Sequence, residues 1–114
     1  MFTQLAPAEA SLLRAAGLLR SASEVEINLD LETNLPQILV QDGARMLTWQ
    51  AIALLPDSVE IPEPPPAGAG LVELLQRAET ELRSRPIGEY PAGTSRLIVD
   101  LCDVIAAARA GAWT

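Results

Sequence analysis

Four segments of the chain repeat apolar residues at intervals of three and four positions, the spacing that places side chains on one face of an α-helix. These segments are residues 7–22, 35–55 and 71–85, and a fourth that follows a cap at Thr94 or Ser95 and runs to about residue 110. Proline marks several of their ends: Pro7 suits a first helical position, while Pro56 and Pro86 stop the second and third helices. The pattern predicts four α-helices and an all-α four-helix bundle.

The second helical segment is the most apolar, and its Asp42-Gly43 pair would also suit a hairpin turn. Its polar residues favour a helix, because they recur along one narrow helical stripe, namely Gln37, Gln41, Arg45 and Thr48. Most of the remaining circumference is apolar. A helix of this kind is either central in its own bundle or shared with a second subunit.

Residues 24–31 alternate strictly between polar and apolar side chains, which is typical of a half-buried strand. The one candidate partner strand is 58–61. Two interpretations stay open: a short two-stranded β element that pairs 24–31 with 58–61, and an extended connector over the bundle, which we favour slightly. A small sheet over residues 24–61, giving an α+β fold, is the alternative to the all-α bundle.

Residues 56–70 are rich in proline and glycine, so we predict a linker between the second and third helices. A docking role for this stretch is the less favoured interpretation. A chain of 114 residues has the usual length of one domain. We therefore predict a single helical domain over residues 1–114.

The composition lacks most of the side chains that catalysis uses. The chain has no His, all eight basic residues are Arg, and Cys102 is the single cysteine. General acid-base chemistry near neutral pH, metal ligation and Schiff-base formation rely on His, Lys and clustered Cys. We therefore predict no catalytic residue, no metal and no cofactor, and a protein that is not an enzyme. We expect Cys102 to be an inert core residue.

The net charge of -7 bears on partners and location. An acidic surface repels a phosphate backbone, and the arginines form no basic patch, so we expect no nucleic-acid partner. No stretch approaches the ~18 apolar residues that span a bilayer, so we expect no membrane partner either. One cysteine excludes an internal disulfide, which suits the cytoplasm. Lys-free, Ala-rich usage is typical of a GC-rich genome and favours a bacterial source.

The functional hypotheses depend on a few large or polar side chains. The candidate binding residues are Met46, Trp49, Ile52, Tyr90, Arg96 and Trp113. The first hypothesis is a non-catalytic protein that interacts with a second copy of itself, or with another protein, through helix faces. The second is a bundle that binds a small apolar ligand between helices near Met46, Trp49 and Tyr90. An enzyme that uses Asp, Glu, Arg or Tyr ranks last.

Overall fold

The computed structural model describes residues 6–25, 31–56, 60 and 70–110. Within these residues the chain forms four α-helices and one short 3₁₀ turn at Ile87–Glu89. The helices are α1 (Pro7–Ser23), α2 (Leu31–Ala53), α3 (Leu71–Leu82) and α4 (Thr94–Ala110). No strand occurs among the described residues. The predicted all-α four-helix bundle is therefore confirmed.

The helices form a ring in which α1 and α4 lie on opposite corners, and each of them packs against α2 and α3. Adjacent helices are antiparallel. The start of α1 meets the end of α3, where Ser11 Oγ lies 3.4 Å from Ser84 Oγ. The end of α2 meets the start of α4, where Gln50 Nε2 donates to Asp100 Oδ2 at 3.2 Å. Helices α2 and α3 thus run in the same direction, so the end of α2 and the start of α3 lie at opposite ends of the bundle.

Local signals explain where two of the helices begin. Pro7 starts α1, and the Glu9 carboxylate accepts a hydrogen bond from the Ala6 N–H at 3.0 Å. This bond satisfies one of the amide donors that a helix start leaves without a backbone partner. The turn before α4 depends on Gly93, whose φ of 100° is unfavourable for other residues. The Leu54 side chain packs against this glycine from the end of α2.

The predicted start of the second helix is wrong by four residues. We expected Leu35, with Asn34 as a cap, but α2 begins at Leu31 and contains Pro36. Leu31, Leu35 and Leu39 recur at four-residue steps, so the helical repeat extends past the proline. The alternation over 24–31 therefore ends inside a helix.

The described residues of the predicted β element do not form a strand. Glu24 lies in a turn, Leu31 is helical, and neither Val25 nor Glu60 is in a strand. The other residues of the predicted pairing, 26–30 with 58, 59 and 61, lie outside the described residues. Most of the predicted linker lies outside them too.

The core is aliphatic and is contributed by all four helices. Its completely buried leucines are Leu12, Leu19, Leu75, Leu97 and Leu101. Helix α1 adds the buried alanines 15, 16 and 22. In the described part of the chain, no helix is both long enough and apolar enough to cross a membrane.

Candidate functional site

One face of α2 carries most of the large apolar surface that the described residues expose. Leu35 is 44%, Leu39 61%, Met46 66% and Trp49 67% exposed. Asp42 and Ala53, also exposed, complete a repeat of alternating four- and three-residue steps. That repeat is typical of a seam between two helices. We refer to these six residues, Leu35, Leu39, Asp42, Met46, Trp49 and Ala53, as the outer face of α2.

Helix α2 has a second apolar face, and this one is buried. Val40, Ala44, Leu47 and Ala51 point into the core at three- and four-residue steps. The helix packs against α1 on one side and α4 on the other. These neighbours cover the inner face and leave the outer face in contact with solvent. The possibility that α2 is central in its own bundle is therefore wrong.

The polar stripe of α2 does not mark its solvent-exposed side. Thr48 is buried and donates to the Ala44 carbonyl at 2.8 Å. The Gln41 side-chain amide donates to the Val25 carbonyl just beyond the end of α1. Gln41 and Thr48 thus lie at the boundary between α1 and α2 with their hydrogen bonds satisfied, whereas Arg45 of the same stripe is exposed.

One ion pair borders the middle of the outer face: Asp42 belongs to this face, and Arg45 lies beside it. Arg45 Nη1 lies 3.3 Å from Asp42 Oδ1, and both side chains are more than half exposed. The apolar residues Leu35 and Leu39 precede this pair, while Met46 and Trp49 follow it. The outer face therefore has two apolar halves separated by one negative and one positive group.

Two open depressions flank the outer face. A cleft of about 370 Å³ between α1 and α2 is lined by Arg20, Ser23, Glu24, Arg45, Thr48, Trp49 and Ile52. A groove of about 510 Å³ between α2 and α4 is lined mainly by apolar side chains: Pro36, Leu39, Val40, Val104, Ala107 and Ala110, with Asp103. Trp49 borders the cleft and Leu39 borders the groove, so both depressions are continuous with the outer face.

The predicted site residues fall into two separate places. Met46, Trp49 and Ile52 lie together on α2, with Ile52 half-buried. Tyr90 is buried elsewhere, and its hydroxyl donates to the Glu81 carbonyl at 3.3 Å. It does not line the cleft beside Trp49, so the structure does not bring the three members of the predicted ligand pocket together. Trp113 lies outside the described residues.

The charged groups around Tyr90 are engaged in ion pairs. Arg96 is highly exposed, and its Nε lies 3.2 Å from Asp100 Oδ1 one helical turn away. Arg85 Nε lies 2.7 Å from Glu89 Oε1. These arginines already have carboxylate partners, so this part of the molecule offers no free cation to an anionic ligand.

The candidate site residues chosen from the sequence did not include Leu35 and Leu39. Their signal was present in the sequence, because they extend the series of Met46 and Trp49 at seam-like spacing. The polar stripe obscured this signal. It implied that the side of α2 that carries Gln37, Gln41, Arg45 and Thr48, rather than the side that carries the leucines, faced solvent. Exposure of these leucines became evident only once the neighbours of α2 were known.

Cys102 is half-buried on α4 rather than sealed in the core. Its thiol donates to Glu79 Oε2 at 3.3 Å, and Arg83 Nη2 donates to the sulfur at 3.5 Å. The hydrogen bonds to Cys102 and Glu79 raise the pKa of the Arg83 guanidinium above its usual range. Within the described residues, no three Cys, Asp or Glu side chains are grouped as a metal site would require.

No protein-family model, curated protein or solved structure matches this chain. The outer face of α2 and its two flanking depressions are therefore the features from which a function can be inferred.

Proposed function

We propose that this protein is a non-catalytic interaction protein that forms a homodimer through the outer face of α2. The observation that carries the proposal is the exposure of Leu35, Leu39, Met46 and Trp49 along one face of one helix. Exposed apolar side chains are ordinary when they are scattered, but contiguous apolar patches larger than a few hundred Å² mark interaction sites.

Burial of this patch supplies the driving force for association. Apolar surface is worth roughly 25 cal/mol per Å² when a partner removes it from water. The charge of -7 on each subunit opposes association. Salt screens that repulsion beyond ~8 Å at physiological ionic strength. We therefore expect the dimer to weaken little, or to tighten, as the salt concentration rises.

A second copy of the chain is the partner we favour. Closed two-fold dimers are the commonest soluble assemblies, and their interface uses the same patch on both subunits. A different protein with an apolar helix is the alternative partner. The acidic charge supports our expectation that nucleic acid is not a partner, and the single cysteine supports a cytoplasmic location.

The test is the mass of the protein in solution, measured by light scattering behind a sizing column at micromolar concentration. We expect a dimer for the natural sequence and a monomer for Leu39→Arg, because the substitution would place a charge inside the interface. Val99→Arg is the matched control: Val99 is 53% exposed on α4, away from the outer face of α2. The control variant should remain a dimer.

A monomeric natural protein at both low and high salt would contradict the proposal. The proposal would also be contradicted if Val99→Arg dissociated the dimer as fully as Leu39→Arg, because the effect of an added charge would then not be specific to α2. Circular dichroism of both variants checks that the helices are retained.

The cleft beside Trp49 supports a second candidate function, the binding of a small apolar ligand. Its volume of about 370 Å³ lies within the range of known ligand pockets, and Ile52 and Trp49 supply its apolar wall. Titration of the monomeric Leu39→Arg variant with an apolar fluorescent dye tests this function. Saturable binding that Ile52→Glu removes would support it, whereas equal binding by both variants would reject the cleft as the site.

A further inference from the structure

We propose that two copies pair their α2 helices in antiparallel orientation, about a two-fold axis level with the midpoint between Asp42 and Arg45. This inference rests on the proposed homodimer and specifies its geometry. Two features of α2 share that midpoint: the ion pair of Asp42 and Arg45, and the match between Leu35 and Ile38 in its N-terminal half and the cleft beside its C-terminal half.

The charges favour the antiparallel orientation. About this axis, Asp42 of each subunit lies level with the partner's Arg45, so opposite charges meet twice. A parallel pair in register would place Asp42 beside the partner's Asp42 and Arg45 beside the partner's Arg45. Like charges brought together at an interface are costly and suppress the wrong arrangement. Both side chains are more than half exposed, so they are accessible to a second subunit.

The same axis aligns the apolar side chains. An α-helix rises 1.5 Å per residue, so Ile38 and Trp49 both lie ~8 Å from the axis, on opposite sides. Leu35 and Ile52 both lie ~13 Å from it by the same measure. The two-fold operation therefore brings Ile38 level with the partner's Trp49 and Leu35 level with the partner's Ile52. All four residues are at least partly exposed.

The cleft between α1 and α2 gives these contacts a place to form. Trp49 and Ile52 line it, and Arg45 stands at its end nearest the axis. Ile38 lies on the same side of α2 as this cleft and Leu35 lies on the outer face next to it, both in the half of the helix that precedes the axis. Each subunit thus inserts two aliphatic side chains into the cleft of the other and receives two in return, which is the self-complementarity that a two-fold interface requires.

The experiment uses cysteines as position markers in full-length chains in which Cys102→Ser has removed the natural thiol. One chain carries Leu35→Cys and the other carries Ile52→Cys. In the antiparallel dimer, two copies of position 35 lie ~25 Å apart along the helices, because 17 residues separate them at 1.5 Å each. A short thiol crosslinker should therefore link neither variant alone, but should link the two variants after they are mixed.

A third chain with Val99→Cys is the control, because this residue is exposed on α4 rather than on α2. It should not become linked to Leu35→Cys. Light scattering measures the mass of every variant before crosslinking.

The outcomes separate this inference from the proposed function. Crosslinking only in the mixture of Leu35→Cys and Ile52→Cys supports the antiparallel pairing. Efficient crosslinking of Leu35→Cys with itself would show a parallel dimer, which overturns the pairing and leaves the homodimer intact. A dimer with no crosslink in any combination would show that α2 does not form the dimer interface. A monomer, with the outer face covered by another part of the chain or by another protein, would overturn both proposals.

Discussion

Helices α1 and α2 are both rich in apolar residues, yet the bundle uses them in opposite ways. Nine of the 17 residues of α1 are buried, and most of these are Ala, Ser or Gly. Helix α2 buries Ala44 and Ala51 together with Val40 and Leu47, but it exposes the larger side chains of Met46 and Trp49. The helix with the larger apolar side chains is thus the less buried of the two.

The contrast shows that side-chain size decides how closely helices approach. Small residues let the backbone of α1 lie near α2 and α3, while Leu12 and Leu19 fill the space between them. Among the helices that the structure describes, none lies beside the large residues on the outer face of α2. Apolar content by itself therefore does not predict burial within one subunit.

The strongest test of this contrast compares one large side chain on each helix. Leu19→Ala should lower the free energy of unfolding by about 2–5 kcal/mol, because Leu19 is completely buried and the truncation leaves a cavity. Met46→Ala should change it by less than ~0.5 kcal/mol in a monomer, as exposed positions usually do. Urea denaturation followed by circular dichroism measures both.

Both substitutions should be made in the Leu39→Arg variant, since the stability of a dimer would depend on protein concentration. Equal losses at the two positions would mean that the outer face of α2 is buried within a single subunit, contrary to the structure.

The second test enlarges an alanine on each helix. Ala16 is completely buried on α1, so Ala16→Leu should destabilise the protein by ~1–3 kcal/mol through overpacking. Ala53 is exposed on α2, and Ala53→Leu should be nearly neutral for unfolding of the monomer. The denaturant concentration at the midpoint of unfolding distinguishes the two variants, provided that their unfolding free energies depend on denaturant with the same slope. A neutral Ala16→Leu would show that α1 does not depend on small residues for its packing.

A third test concerns a close approach between α2 and α4. Gly43 lies within α2, and a Cβ added there would stand 3.1 Å from Val104 Cγ2. Helix propensity favours alanine over glycine by up to ~1 kcal/mol, and this contact opposes the gain. Gly43→Ala should therefore stabilise the protein more in a Val104→Ala background than in the natural sequence. A double-mutant cycle of thermal unfolding measures the difference, and additive effects would show that the contact does not constrain the helix.

The smallest expected effect concerns the polar connection between α1 and α3. Arg14 Nε lies 2.7 Å from Glu81 Oε1, but Arg14 is more than half exposed. Arg14→Met, which retains the aliphatic stem, should cost no more than ~1 kcal/mol, and added salt should reduce this cost. Arg77→Met is the control, because Arg77 pairs with Glu73 inside α3 and joins no two helices. A larger loss would mean that this pair, rather than apolar packing, holds α1 to α3.

The sequence by itself determined the number, type and approximate ranges of the helices. These depend on local physics: the spacing of apolar residues, and the glycine turn before Thr94. The predicted stop of the third helix at Pro86 is wrong by three residues, because α3 ends at Leu82. It also indicated Met46, Trp49 and Ile52 as neighbours on one helix. Such features follow from residues within a turn or two of one another, which is the distance over which a sequence pattern is informative.

Tertiary structure decided which side of α2 faces solvent, where Tyr90 lies, and that Gln41 and Thr48 adjoin α1. The helical repeat of α2 has two apolar faces, and no local rule distinguishes the one that its own chain covers. That choice depends on the close packing that the small residues of α1 permit and on the positions of α1 and α4. Burial is set by which surfaces meet, and those surfaces come from residues far apart in the sequence.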